Sequence, residues 1–200
     1  VIPCSIQLGS GTRKDWVAKV GSPVTESGMD TAGTTCRNAN GALAPTGDNL
    51  QEHRTNELKS KADAWVSAGN STPAMWIVGH GADTFIAQKN GAAPNNTAVG
   101  TDLGSIGGVA PYTVDAGKLR ANAPFYNSSW GRSLYNVFLT GEIASPGTVS
   151  FGAMKQLFRG ASSKVCQAHD TLLDFGYLEL GSGDETVATT AAPSPPRAPP

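Results

Sequence analysis

The sequence predicts an α/β fold, and three observations carry that prediction. Short β-like runs alternate with helix-like runs over residues 1–180. The hydrophobic share of 39% is enough for a core, and 24 glycines and 13 prolines punctuate the 200 residues. Charged residues make up only 16%, so a long-helix bundle or coiled coil is excluded.

Taken in order, Val1–Leu8 is apolar or small and reads as a strand, Gly9-Ser10-Gly11-Thr12 as a tight turn, and Arg13–Val20 as a helix. That helix puts Trp16, Val17 and Val20 on one face. Residues 21–48 are rich in Gly, Thr, Ser, Asn and Pro without a period, which predicts a long loop. Gln51–Ser67 carries helix formers with Leu58, Ala62 and Trp65 in register. Ala74–Val78 reads as a buried strand, and Gly81–Asn90 as a helix with Ala82, Phe85 and Ile86 inward and Gly91 as its cap. Val99–Pro111 is β-like but dense in glycine. Arg132–Thr140 reads as a central strand, since Leu134 and Phe138 alternate with Tyr135, Val137 and Leu139 and both faces are apolar. Two helices follow, Gly152–Arg159 and Ser162–Phe175, the second with Val165, Ala168, Leu172 and Phe175 inward and Gly176 at its end. Tyr177–Leu180 is a short last strand. Residues 183–200, with five prolines from Pro193 onward, predict an extended linker or tail.

The formal net charge is -1, with Lys and Arg scattered singly, which leaves no electrostatic footprint for nucleic acid or an anionic membrane. Apolar runs such as Ala74–Val78 fall far short of the ~20 residues that span a bilayer. With no initiator Met and no leader pattern, the start at Val1-Ile2-Pro3-Cys4 reads as that of a processed product or fragment. Cys4, Cys36 and Cys166 lack metal-ligand spacing, and one disulfide plus one remaining thiol, or no disulfide, are both compatible with them. His53, His80 and His169 have no ligand spacing either. H-E-x-x-H, G-x-S-x-G, Walker and G-x-G-x-x-G motifs are all missing, so the pattern calls for no metal, no cofactor and no enzyme activity.

Chemistry is best placed at Gly9-Ser10-Gly11-Thr12, because a turn opening a helix presents backbone N–H groups and two hydroxyls that favour an anion. Equally, Ser10 or Thr12 serves as a helix cap. His80, between Gly79 and Gly81, is either a hydrogen-bonded loop histidine or a ligand contact. Trp16, Trp65, Trp76 and Phe85 read as core, whereas Trp130, between Ser129 and Gly131, fits a core or a cleft. Asp83, Asp102 and Asp115 are not paired by spacing.

Six stretches in order, Gln7–Arg13, Asn49–His53, Ala74–Val78 with Phe85–Gly91, Ile106–Pro111, Arg132–Val137 and Val165–Tyr177, together resemble the phosphate-type extracellular solute-binding proteins of ABC importers, in their actinobacterial branch. The resemblance implies a two-lobe, hinge-closing fold of the type II periplasmic-binding-protein kind. Residues 1–133 would form the second lobe, and 134–182 the hinge-crossing strand and the return segment of the first lobe, with 183–200 as linker. The N-terminal part of lobe one would then lie outside this chain. In that case Phe151, Leu157, Phe158, Leu172, Leu173 and Phe175 would not all find partners.

The same resemblance implies a secreted or cell-surface protein that captures a small ligand, phosphate or another oxyanion, and hands it to an ABC importer permease. Its ligand-binding residues would be Gln7, Gly9, Ser10, Gly11, Thr12 and Arg13. One departure bears on selectivity. Where the family reads R-x-D-G-S-G-T, this chain has Ile6 and Leu8 in place of the Arg and Asp, so the hydroxyl and N–H donors carry over and phosphate selectivity does not. Two other readings are a surface module for sensing or adhesion on the same fold, and a secreted hydrolase, for which no triad is present.

Overall fold

The computed structural model describes residues 2–4, 6–7, 9–20, 50–70, 75–132, 134, 151–158 and 162–178. The fold is mixed α/β. β1 (Ile2–Cys4) runs into α1 (Gly11–Val20), and α2 (Thr55–Ser67) leads to β2 (Trp76–Val78), which pairs with β1 in parallel through Ile2↔Trp76, Pro3↔Ile77 and Cys4↔Val78. A parallel pair needs a long crossover, and the intervening residues with α1 and α2 supply it. Ile6↔Leu50 extends the pairing as an isolated parallel bridge.

Cys4, Leu50 and Leu58 form the buried centre beneath this sheet, with Trp76 and Val78 packed against them. α3 (Ala82–Lys89) contributes the second buried group, Phe85, Ile86 and Ala87. Full burial of side chains such as Ile6, Leu50, Phe85 and Ile86 stabilises by about 1.5–3 kcal/mol each. Of the inward face expected for α3, Phe85 and Ile86 are buried while Ala82 is only half-buried, and Gly91 follows the helix with φ +75° as expected of a helix terminator.

A hairpin of β3 (Tyr112–Asp115) and β4 (Lys118–Ala121) has no counterpart in the sequence reading. Its two-residue turn, Ala116-Gly117, has φ of 46° and 80°, both positive, which matches the twist of the flanking strands. Alanine seldom adopts that conformation, so the usual Asn-Gly or Asp-Gly signal was missing. The one-turn helix α4 (Ala123–Tyr126) follows, with Pro124 in its first turn. α5 (Phe151–Phe158) agrees with the expected helix, but the next one begins only at α6 (His169–Asp174). Residues 162–167 form turns instead, where the Ser163 hydroxyl accepts from the Cys166 N–H at 3.3 Å and competes with helical bonding.

The backbone just past α6 packs on α3 at Gly176, whose φ is +75°; a Cβ there would lie 2.8 Å from Ile86 Cβ and 2.9 Å from Asp83 Cα. The Asn90 side chain joins this unit to the hairpin. Its amide donates to the carbonyls of Leu119 (2.8 Å) and Asp174 (3.1 Å), and its oxygen accepts from the Leu119 N–H at 2.8 Å. Asp174 in turn binds Lys118 and, at 2.6 Å, Arg120.

Val99–Pro111 is not a strand; Ile106 and Val109 make an isolated bridge around Gly107-Gly108. Of the expected strand Arg132–Thr140, only Arg132 and Leu134 are described, and neither is extended in a sheet. Tyr177 and Leu178 are likewise irregular. The loop 21–48, the remainder of both strands and the segment 183–200 lie outside the described residues. In the return segment Leu157 and Phe175 are exposed, while Phe158, Leu172 and Leu173 are half-buried. The side chain of Phe151 lies outside the description.

Candidate functional site

The turn opening α1 directs most of its polar groups into the chain itself. Gly9 takes φ +84° and lets the backbone reverse into the helix. The Ser10 hydroxyl accepts from the Arg13 N–H at 3.2 Å, so Ser10 is an N-cap, the simpler of its two expected roles. Arg13 is fully buried and donates through Nη1 to the Ile6 carbonyl at 2.7 Å. Gln7 accepts from the Glu52 N–H at 2.6 Å. Gly9 and Gly11 are exposed, and Thr12 lines the aromatic cavity described below.

At the N-terminus of α1, where an anion was expected, stands the carboxylate of Glu52. The Thr12 hydroxyl donates to it, as do the Thr12 N–H and the Ser10 side chain. Burial pushes this carboxyl up, but those hydrogen bonds and the neighbouring His53 together hold it below the usual carboxylate range. An internal anion thus complements the helix dipole.

Glu52 also begins a short polar chain. His53, whose φ is 64°, has Nε2 at 3.2 Å from Glu52 Oε1, and its ring lies edge-on to His80 at 5.3 Å between centroids. His80 packs edge-on against Phe85 at 5.9 Å. His80 Nδ1 lies 2.8 Å from the Gly81 carbonyl and must be the protonated nitrogen, so in the neutral ring Nε2 carries the lone pair. That Nε2 is buried and has no well-formed hydrogen bond.

Burial lowers the His80 pKa below the ordinary 6.5, and the charge of His53 adds to the effect; hydrogen bonding to the Gly81 and His53 backbone, and Asp83, oppose it. Because the unfolded chain takes up this proton first, stability present above pH 6.5 is lost as the pH falls through the folded value. Urea unfolding should therefore show a loss of stability between pH 7 and pH 5, and His80→Gln should flatten that dependence. Each unit of depression corresponds to about 1.4 kcal/mol. An unchanged slope in the variant would assign the acid sensitivity to other groups. Glu52 acts in the same direction at lower pH, below about 4.5.

His80 faces a cavity of about 200 Å³ between α1, α3, α4 and the segments around Trp130 and Tyr177. Its walls are aromatic. Trp16 and Trp130 stand 5.9 Å apart with their planes tilted by 50°, and Phe125, Tyr126 and Tyr177 complete the lining. Lys19 lies over the Trp130 ring at 5.7 Å, donates to the Ser129 carbonyl and pairs with Asp15 at 3.7 Å, which fixes the Trp130 indole. Asp83, in the first turn of α3, bonds the Tyr177 hydroxyl. Burial first, then Asp83, raises the pKa of Tyr177. Tyr126 is raised far more by burial, and its hydroxyl is buried without a hydrogen-bond partner. Gly131 fits the wall only because it lacks a side chain: a Cβ there would fall 1.6 Å from the Tyr126 carbonyl oxygen.

A longer groove of about 660 Å³ adjoins the cavity and shares Trp16, His80, Ala82, Ile106 and Phe125 with it. Sequence reasoning offered His80 and Trp130 as alternatives for a cleft. It named Asp83 only as an unpaired carboxylate and missed Phe125, Tyr126 and Tyr177, the first two of which are signalled locally as the aromatic pair following Pro124. Cys4 is disulfide-bonded, so a chain without a disulfide is excluded. Among the described residues, no group of three or more His, Cys, Asp or Glu could hold a metal ion, and no helix is long and apolar enough to cross a membrane. No protein-family model, curated protein or solved structure matches the chain.

Proposed function

We propose that this chain is a solute-binding domain that captures a small molecule without transforming it. The reading includes the two-lobe, periplasmic-binding-protein-like arrangement that the sequence resemblance implies, and delivery of the solute to an ABC importer permease. The observation that carries it is the aromatic cavity of about 200 Å³, lined by Trp16, Phe125, Tyr126, Trp130 and Tyr177 together with His80 and the carboxylate-bearing Asp83. A concave apolar site with a few convergent polar groups is the general form of a ligand pocket. The Cys4 disulfide supports a secreted or cell-surface location, because disulfides persist in oxidising compartments. The ligand enters this cavity rather than resting on the α1 turn, whose donors Glu52 already engages.

Thermal denaturation against a panel of sugars, amino acids, betaines, phosphate, sulfate and molybdate tests the reading. A ligand at a hundredfold excess over its Kd stabilises by about 2.7 kcal/mol, which for a chain of this length corresponds to a Tm rise of roughly 5–10 °C. Silence across the whole panel, or consumption of the solute that binds, would overturn it.

A further inference from the structure

Two opposite charges on the cavity lining have no charged partner. Asp83, half-buried in the first turn of α3, is bonded by the neutral Tyr177 phenol, and Arg132 is exposed where the lining meets solvent. Among the described residues neither forms an ion pair, with the other or with a third group, whereas Asp15 on the same lining is matched by Lys19 at 3.7 Å. Both charges nonetheless act on one hydroxyl: burial raises the Tyr177 pKa first, Asp83 raises it further and Arg132 lowers it. That combination of signs discriminates between ligands. A lone cation drawn to Asp83 meets like charge at Arg132, and a lone anion drawn to Arg132 meets Asp83; such juxtapositions cost affinity. A neutral sugar offers hydroxyls to both groups but a counter-charge to neither. A zwitterion satisfies both. Its ammonium gives N–H donors to a carboxylate that has acceptor sites beyond the single phenol bond, and its carboxylate matches the planar fork of a guanidinium. Trp16, Phe125, Tyr126 and Trp130 then offer an apolar wall for the rest of the molecule. At about 200 Å³ the site lies below the ~300–1,000 Å³ of drug-sized pockets and admits one small side chain or ring.

We propose that this cavity takes a free α-amino acid with an apolar or aromatic side chain, its ammonium on the Asp83 carboxylate, its carboxylate on the Arg132 guanidinium and its side chain against the aromatic wall. The assignment rests on the solute-binding reading and names its ligand class. Because Trp16 and Trp130 are part of the wall, tryptophan emission reports on occupancy, and Tm gives a second readout. The experiment titrates the full chain with leucine and phenylalanine, with the amide and the N-acetyl derivative of each, and in parallel with phosphate, glucose and choline. The amides lack the ligand's carboxylate and the N-acetyl derivatives its ammonium. The expected result is saturable binding of at least one of the two amino acids, weakened about tenfold or more in both of its derivatives, as the loss of a hydrogen bond to a charged group predicts. Arg132→Gln, at an exposed position, and Asp83→Asn should each weaken the amino acid to the same degree. The derivatives make no demand on folding, so they decide the matter even where Asp83→Asn destabilises the chain. A loss of less than about tenfold on removing either ligand charge, or on Arg132→Gln, would overturn the assignment. Saturation by phosphate, glucose or choline with none by the amino acids would also overturn it while leaving the solute-binding reading intact. No response to any of these compounds in emission or Tm would overturn both.

Discussion

Gly131→Ala is expected to cost about 3–5 kcal/mol, a large part of the roughly 5–15 kcal/mol that holds an ordinary domain together. The added methyl would sit 1.6 Å from the Tyr126 carbonyl oxygen, well inside any tolerable contact. The obstacle is backbone, so no rotamer change relieves it. Either α4 must lose its last turn, where Asn127 N–H bonds the Ala123 carbonyl at 2.9 Å, or the 128–131 turn must open, where Gly131 N–H bonds the Ser128 carbonyl at 3.2 Å. Overpacking alone typically costs about 1–3 kcal/mol, and the forced backbone movement adds to it. Both routes displace Trp130 and Tyr126, so ligand binding should fail together with stability. Urea unfolding measures the effect. A loss below about 1 kcal/mol would mean that residues 126–131 follow a different path.

Arg13→Ala should be comparably severe, at about 3–5 kcal/mol. The side chain is fully buried and its Nη1 binds the Ile6 carbonyl at 2.7 Å, so truncation leaves both a void and a buried acceptor without its donor. Arg13→Met separates the two contributions: it keeps most of the volume and should cost about 1–3 kcal/mol, the range for a stranded buried polar group. Chemical denaturation of the two variants side by side checks the ranking. If Arg13 served instead as a cation for a bound anion, Arg13→Met would abolish anion binding and leave stability nearly unchanged.

Legibility in the sequence followed the range of the interaction. α1, α2, α3 and α5 were readable because their periodicity and glycine stops are local, and each was placed to within a few residues. α2 begins at Thr55 rather than Gln51 because Glu52 and His53 are drawn into the chain that closes the α1 turn, a contact over 40 residues from Thr12. The hairpin was hidden by a turn that relies on an alanine at positive φ. At the candidate site, the turn Gly9–Thr12 was visible as a set of donors, but nothing near it in sequence announced the carboxylate that engages them. The aromatic walls were harder still, since Trp16, the pair Tyr126 and Trp130, and Tyr177 come from three separate segments. An aromatic residue on a helix face looks the same whether it will meet core or cavity. The burial of the Tyr126 hydroxyl without a hydrogen-bond partner likewise exists only once those segments are assembled.

The Asn90 carboxamide has a consequence for self-association. Along β4, Leu119 pairs opposite Val114 in the hairpin, yet its N–H and C=O are both taken by one side chain that imitates a peptide group. An exposed strand edge is a template on which another chain can add its own strand, and charges or prolines are common deterrents. Here the outer hydrogen bonds of Leu119 are occupied from within, by the residue that ends α3. A foreign strand could dock on that edge only by first displacing Asn90, which would also release the Asp174 carbonyl and loosen the α6 contact. Protection against polymerisation through β4 is thereby tied to the integrity of the fold around it.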